Sequence, residues 1–345
     1  MKKKLSSGLK VLIFLLCPLA AFSQNDIGDL FQSGPADATK LVNAYINPLF
    51  KGLGVGLNSG WTNTAKTKKA FRFDLRITGT AAFVPNSDKA YDVKALGLEN
   101  IRPVDPNKSI GPTAFGEKID GPLMEIYNSS LPDPDPTTFR LPKGTGLNFV
   151  PSPQVQLTVG LPKHIDVSLR LVPDIKIEDG TLNLFGAGAK FELLPLLMGK
   201  KYKATPIDLA LAFGYSSVNF NLPLTIDDQT TNDQVVDVKM KGYSAEAIVS
   251  KKILFITPFA SVGIHRSSSK LNALGSYDFD VPVTPQTPTG KKTYKDPISL
   301  NQTDINGMKA TLGFQMNLAF FKIFASYTQA KYSYANVGIG FGTGK

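Results

Sequence analysis

The feature that most constrains the fold is the alternation of apolar and polar side chains in FRFDLRITGTAAF, residues 71–83. One set of alternate positions is apolar from end to end, and the other carries Arg72, Asp74, Arg76 and two threonines. Successive side chains of a β-strand point to opposite faces, so this segment predicts a strand with one apolar and one polar face. The apolar face belongs to the core of a soluble sandwich or to the lipid side of a membrane barrel.

The same period recurs along the chain and predicts an antiparallel sheet of many strands. The clearest repeats are residues 155–161, 165–171, 185–193, 207–215 and 308–320. Weaker strands are predicted at 53–63, 238–250, 253–265, 322–330 and 332–342. Short connections alternate with long polar ones, which is typical of outer-membrane barrels with short periplasmic turns and long outer loops.

Strand length separates the two architectures. Most of the clearest alternating segments run for about 9–13 residues, which suits a tilted membrane crossing better than a soluble strand of about 5–6 residues. Aromatic residues gather near the strand ends, and VGIGF at 337–341 resembles the final strand that the barrel-assembly machinery recognises. We therefore predict an all-β, antiparallel up-and-down transmembrane barrel over residues 53–345. About 12 strands are expected (range 10–14), at least one of them hidden in the proline-rich stretch 85–150.

The first 23 residues predict a secretory signal peptide, with a basic start, an apolar stretch and cleavage before Gln24. Cys17 is the chain's one cysteine and lies in this leader, so no disulfide is expected in the mature chain. Four leader lysines contribute to the net charge of +10, which leaves +6 without a long basic run, and nucleic acid is not expected as a partner. The expected location is the outer membrane of a Gram-negative bacterium, in contact with its lipid.

Residues 37–54 have helical rather than strand periodicity, and we assign residues 24–52 to an N-terminal periplasmic helix or plug. Asp37 is the expected N-cap, and Pro48 is expected to end or bend the helix. The segment could lean on the barrel rim or reach into the lumen. In the second case its apolar face forms the plug or gate, with Leu41, Tyr45, Ile46 and Leu49 as the residues involved.

Several stretches resemble a known family: NAYINPLFKGLGVGLNSGWTNTAKTKK, FDLRITGTAAFVP, VQLTVGLPKHIDVSLRLVP and AKFELLPLLMG. Together they are similar to an uncharacterised outer-membrane barrel family of Bacteroidota, which is itself distantly similar to long-chain fatty-acid transporter barrels. The resemblance implies a barrel, an outer-membrane location, and by analogy an N-terminal plug and a hydrophobic substrate. It implies no functional residues.

The polar faces of the strands carry charges of both signs in equal number. These lumen charges are Arg72, Asp74, Arg76, Asp166, Arg170, Lys190, Glu192, Asp208, Glu246 and Lys309. Balanced charges can pair into a network that holds a small barrel shut. They can also form a polar constriction that selects small charged solutes.

The sequence does not indicate an enzyme, a cofactor or a metal site. His164 and His265 are expected to be solvated polar residues at a turn and a strand end. GLGVG (52–56) and GAGAK (186–190) are expected to enter strands rather than helices, so neither predicts a phosphate loop. The loop aspartates are expected to be solvated rather than to bind calcium; they are Asp133, Asp135, Asp227, Asp228 and Asp233.

Two functional hypotheses follow. The first is a passive transporter or pore for small molecules, hydrophobic ones included, that is gated by the N-terminal plug. The alternative is a closed structural barrel whose outer loops scaffold or anchor surface proteins. A hydrophobic groove beside residues 41–49 favours the first, and a lumen blocked by ion pairs favours the second.

Overall fold

The computed structural model describes residues 34–127, 138–177, 179–224, 231, 233–281, 290–318 and 321–342. Its main body is a closed antiparallel barrel of ten strands, in which each strand pairs with its neighbours in chain order and the first pairs with the last. The barrel strands are β1 (Phe73–Phe83), β7 (Phe149–Leu161), β8 (Ile165–Ile177), β9 (Gly180–Glu192), β10 (Asp208–Pro223), β11 (Val235–Ser250), β12 (Ile256–Leu274), β15 (Ile298–Leu318), β16 (Phe321–Gln329) and β17 (Tyr334–Gly342). The signal-peptide prediction, and those for Asp133, Asp135, Asp227 and Asp228, lie outside the described residues.

The barrel has ten strands rather than the expected 12, at the lower limit of the expected range of 10–14, because the described part of 84–148 contributes no crossing. It forms two small sheets outside the wall from β2 (Ala90–Asp92), β3 (Ile101–Pro103), β4 (Ile110–Pro112), β5 (Leu123–Ile126) and β6 (Thr138–Arg140). Strands of three or four residues are too short to cross a bilayer. β13 (Ser276–Val281) and β14 (Gly290–Lys295) pair as a separate hairpin between β12 and β15.

The faces of the wall are arranged as in a membrane barrel. In β1 the polar side chains Asp74, Arg76 and Thr78 are buried, whereas Phe73, Leu75 and Ile77 are exposed. A soluble sandwich would bury the apolar set instead. Eleven residues at about 3.3 Å each, tilted by about 40°, span about 28 Å, which matches a band of about 25 Å on membrane barrels.

The two ends of the barrel differ, and we name them by their connections. The short-turn end carries the turn 162–164, the turn 251–255, and the connection 193–207 with helix α2 (Leu193–Met198). The long-connection end carries the described parts of 84–148 and of the β10–β11 connection, together with the β13–β14 hairpin. β1 starts at the short-turn end, because Phe73 pairs with Val159 beside the turn 162–164.

Helix α1 (Pro35–Asn58) lies inside the barrel and packs against β1, β7, β10, β11, β12 and β15. It therefore occupies the lumen rather than the rim. The predicted strand at 53–63 is wrong, since α1 continues to Asn58 and passes through Pro48. The predicted N-cap is also wrong: Gly34 holds that position, and the buried Asp37 carboxylate accepts hydrogen bonds from the backbone of Glu99 and Asn100.

The chain threads the barrel from end to end before its first strand. The first turns of α1 contact the long connection, with Lys40 Nζ donating to Gly97 O at 2.6 Å. After Asn58, residues 59–70, here called the inner segment, descend to the short-turn end, where the Phe71 amide donates to Gly160 O. Because α1 begins at the end opposite to the short turns, the predictions of a periplasmic helix and of periplasmic short turns cannot both be correct. No helix in the described ranges is long and apolar enough to cross a membrane.

Candidate functional site: the filled barrel interior

The barrel interior has room for one helix only. Ten strands spaced by about 4.8 Å and tilted by about 40° give a backbone radius of about 10 Å. A helix with side chains is about 10–12 Å across, so the wall and the helix must approach closely. At Gly52, Gly54 and Gly56 an added Cβ would lie within 3.0 Å of a wall side chain. The stretch GLGVG is thus the helix surface that touches the wall, and the prediction that it enters a strand is wrong.

The lumen half at the long-connection end is apolar. Tyr45, Ile46 and Leu49 are buried there among inward-facing residues of the wall, which include Phe220, Val238, Met240, Leu271, Ile298 and Ile305. Leu41 is buried in a second cluster with Val93, Ile101, Met124, Phe139 and Leu141 of the long connection. The four residues predicted as plug or gate are therefore in the lumen or under its cover, and all four side chains are buried.

Wall side chains cap the C-terminal end of α1. The last carbonyls of a helix have no partner within the helix and carry partial negative charge. Arg170 donates to Leu57 O at 3.3 Å and to Ser59 O at 2.7 Å, and Ser216 Oγ donates to Leu57 O at 3.0 Å. Gln154 Nε2 donates to Gly56 O. The helix end is thereby fixed to the wall by buried hydrogen bonds.

Trp61, the chain's one tryptophan, fills the lumen directly after the helix. Its ring lies 3.7 Å below the Arg170 guanidinium, and its carbonyl accepts from Arg76 Nη2 at 2.7 Å. Gly188 and Gly214 face the ring, and a Cβ at either would lie within 3.0 Å of indole atoms. Two glycines on the polar face thus make the space that the indole occupies.

Ion pairs fill the lumen half at the short-turn end. Lys309 Nζ lies 3.2 Å from Glu246, Lys190 Nζ lies 3.0 Å from Asp166, and Arg76 Nε lies 3.6 Å from Asp74. The inner segment joins this network: Lys66 lies 2.6 Å from Glu192 and 3.2 Å from Asp208. The charges therefore form a network of ion pairs around the inner segment rather than an open constriction.

The predicted set of lumen charges was incomplete. Arg72 lies ahead of β1 and is exposed, so it does not belong to the interior. Lys66, Lys68 and Lys322 were missed, although Lys68 and Lys322 lie 3.4 Å and 2.6 Å from Asp74. The periodic signal could have shown Lys322 on the polar face of its strand. Nothing in a non-periodic stretch such as 59–70 marks its lysines as interior.

A polar latch connects α1 with two connections at the long-connection end. Lys51 Nζ lies 2.6 Å from Asp88 Oδ2, and the Tyr332 hydroxyl donates to the same oxygen. Partial burial raises the pKa of Asp88, but the hydrogen bonds from Lys51 and Tyr332 outweigh it and hold that pKa below the ordinary value. Burial and the bond to Asp88 raise the pKa of Tyr332. We refer to Lys51, Asp88 and Tyr332 as the latch.

The two histidines differ in their surroundings. His265 is buried within β12, so its expected solvation and its position at a strand end are wrong. His164 is half-buried in the turn, 3.6 Å from Glu192 and beside the Tyr202 ring. Within the described chain no group of three His, Cys, Asp or Glu side chains could hold a metal ion.

A family profile described as a family of unknown function, DUF6588, matches residues 1–343. The chain belongs to DUF6588. The family has no assigned activity. The similarity to a Bacteroidota family and to fatty-acid transporters, which the sequence suggested, stays a prediction. No curated protein matches the chain.

Several solved barrels are similar to the DUF6588 chain at low identity. The attachment invasion locus protein Ail of Yersinia pestis has 10% identity and a TM-score of 0.25, with 79% of this chain and 99% of that chain covered. The translocator domain of autotransporter NalP from Neisseria meningitidis has 9% identity and a TM-score of 0.24, with 90% and 99% covered. A mutant of the Rh. blastica porin has 10% identity and a TM-score of 0.16, with 78% and 99% covered.

Proposed function

We propose that this chain is a closed outer-membrane barrel of a Gram-negative bacterium that anchors or scaffolds proteins at the cell surface. The observation that carries the proposal is the filled lumen: α1 and the inner segment occupy it from one end to the other and are bonded to the wall. The apolar outer face supports the membrane location. The described parts of 84–148 and the β13–β14 hairpin supply a surface for partners at the long-connection end.

Removing α1 from the lumen would break many contacts at once. The side chains of Arg170, Gln154 and Ser216 would lose backbone partners within the barrel, and each buried polar group left unpaired costs about 1–3 kcal/mol. The apolar shell around Tyr45 and Leu49 would also be exposed. A plug with such contacts is better suited to permanent closure than to repeated opening.

Transport of small apolar molecules is the second candidate function, and the apolar half of the lumen favours it. A solute that replaced the Tyr45, Ile46 and Leu49 side chains would meet an apolar wall there. This function requires α1 to move, whereas anchoring requires it to stay. Fixing α1 in the lumen should therefore abolish transport but leave anchoring unchanged.

Conductance in planar bilayers distinguishes the two functions when it is measured with and without a disulfide that holds the helix in place. Ser59 Oγ and Thr80 Oγ1 lie 2.8 Å apart, so the double variant S59C/T80C can form a disulfide between the inner segment and the wall. The one other cysteine, Cys17, lies in the predicted leader. We expect no steady conductance from the wild type or from the locked form, and a steady conductance after deletion of residues 24–50. Conductance that the wild type shows and the oxidised lock abolishes would establish gating and overturn the closed barrel.

Surface labelling of intact cells tests the orientation. α1 starts at the long-connection end, so an epitope placed ahead of Gly34 should be accessible from outside. An epitope after Lys345 is the matched control, because β17 ends at the short-turn end, and it should be labelled only after the outer membrane is opened. The reverse labelling would show that the long connections face the periplasm.

A further inference from the structure

An apolar groove crosses the outer face of the barrel, outside the interior described above. Its volume is about 1020 Å³, and it spans β8 to β15 with three alanines in its floor. One row of paired residues across the wall reads Val167, Ala189, Phe213, Ala245 and Ile264. Because alanine stands between larger side chains, the groove has the width and the chemistry for hydrocarbon chains.

The groove changes character toward the long-connection end. The next row places Tyr215 beside Tyr243, with ring centroids 5.0 Å apart, and Tyr243 is paired with Arg266. Aromatic rings with a polar tip are typical of the boundary between hydrocarbon and head groups. The groove therefore meets the level of lipid head groups at this row.

Cations and neutral donors cluster just above that level on the outward side of β11 and β12. Arg266, Lys241 and Lys270 are exposed, and in the described part of the chain none of them has a carboxylate within ion-pair distance. Lys239 is the exception, since it lies 3.0 Å from Asp237. Ser268 and Asn306 border the same end of the groove. Lys241 is paired with Ser268, which lies between Arg266 and Lys270 in β12, so the three cations repel one another and a phosphate would relieve that repulsion.

We propose that this surface binds a membrane lipid with a phosphorylated head group, in the leaflet at the long-connection end. The acyl chains lie in the groove over Ala187, Ala189 and Ala245, and the phosphate contacts Arg266 and Lys241, with Lys270 adding charge. The guanidinium can donate two hydrogen bonds to one phosphate, and Ser268 and Asn306 can add two more. This proposal rests on the membrane location proposed above.

The test uses the purified full chain in phosphatidylcholine nanodiscs that contain a minor fraction of bisphosphorylated lipid A. Native mass spectrometry counts the lipid A molecules that stay bound after detergent transfer, and dephosphorylated lipid A serves as the reference lipid. The first variant removes the three cations by Arg266→Gln, Lys241→Gln and Lys270→Gln. The matched control removes three lysines at the opposite end by Lys200→Gln, Lys201→Gln and Lys203→Gln.

We expect the wild type and the control to retain the phosphorylated probe, and the first variant to lose about a hundredfold in affinity, since each surface cation adds about fivefold. Ala245→Trp fills the groove and should weaken retention with all three cations in place. Equal loss in variant and control, or equal retention of the dephosphorylated lipid, would overturn the lipid site. A chain that does not enter nanodiscs as a folded barrel would instead refute the membrane location, so the two failures are distinguishable.

Discussion

Replacement of Gly214 by alanine should destabilise the barrel through the indole of Trp61. The added Cβ would lie 2.6 Å or less from three atoms of the ring, whereas the favourable separation is about 3.5 Å, so the ring must move by about 1 Å. The ring cannot move freely, because Gly188 faces it as well and the Arg170 guanidinium lies 3.7 Å above it. Overpacking costs about 1–3 kcal/mol and a buried cation–π contact is worth about 2 kcal/mol, so we expect a loss of about 3 kcal/mol.

Urea unfolding in lipid vesicles measures this loss through the fluorescence of the chain's one tryptophan. Gly307→Ala is the control, since nothing lies within 4 Å of the position where its Cβ would be, and it should stay within about 0.5 kcal/mol of the wild type. Trp61→Ala alone should cost about 3–5 kcal/mol. W61A and the double variant W61A/G214A both lack the fluorophore, so their unfolding is followed by the electrophoretic mobility of the folded barrel. The double variant should cost no more than W61A alone. Additive costs, or a G214A chain as stable as the control, would refute the proposed packing.

Three further outcomes are expected. The latch should weaken below about pH 4. A carboxylate whose folded pKa is lowered stabilises the folded state above its unfolded pKa, and it loses that contribution as pH falls through the folded pKa. Asp88→Asn should therefore remove the pH dependence of hydrogen exchange in α1, and Asp120→Asn should not. Arg170→Lys should lower the unfolding free energy by about 2 kcal/mol, because one ammonium cannot replace the fork that bonds two carbonyls and covers an indole. Lys309→Met should cost about 3–5 kcal/mol because it leaves Glu246 as a buried charge, and adding Glu246→Gln should recover part of that cost.

The sequence allowed the wall to be predicted well because a barrel strand is a local pattern. Alternation assigned Asp74 and Arg76 to one face and Leu75 and Ile77 to the other, and the structure places them so. It could not reveal that the polar face is the buried one, which follows only when strand lengths and connections are considered together. The strand count was overestimated because 84–148 is long enough to hide a crossing and its short strands have no distinct signal.

Misassignment of residues 53–58 has a physical cause. Gly54 and Gly56 alternate with Leu53, Val55 and Leu57, and this period of two imitates a strand. The glycines are there because a helix needs them where it touches Ser267 and Ser152 of the wall. Such contacts join residues about 100–200 positions apart, and periodicity within a short window carries no information about them. The same limit hid the roles of Trp61, Lys66 and Lys68.

The threaded helix has a consequence for assembly. The chain passes through the lumen before it forms β1, and β1 pairs with the last strand, β17, to close the wall. If β1 and β17 paired first, the amino terminus would have to pass through a closed barrel whose lumen is little wider than the helix. The order of events is therefore set by topology: the helix must be in place while β1 and β17 are still apart, and the seam then shuts around it. A bulky folded cargo fused ahead of Gly34 should accordingly reach the far side during seam closure and not after it.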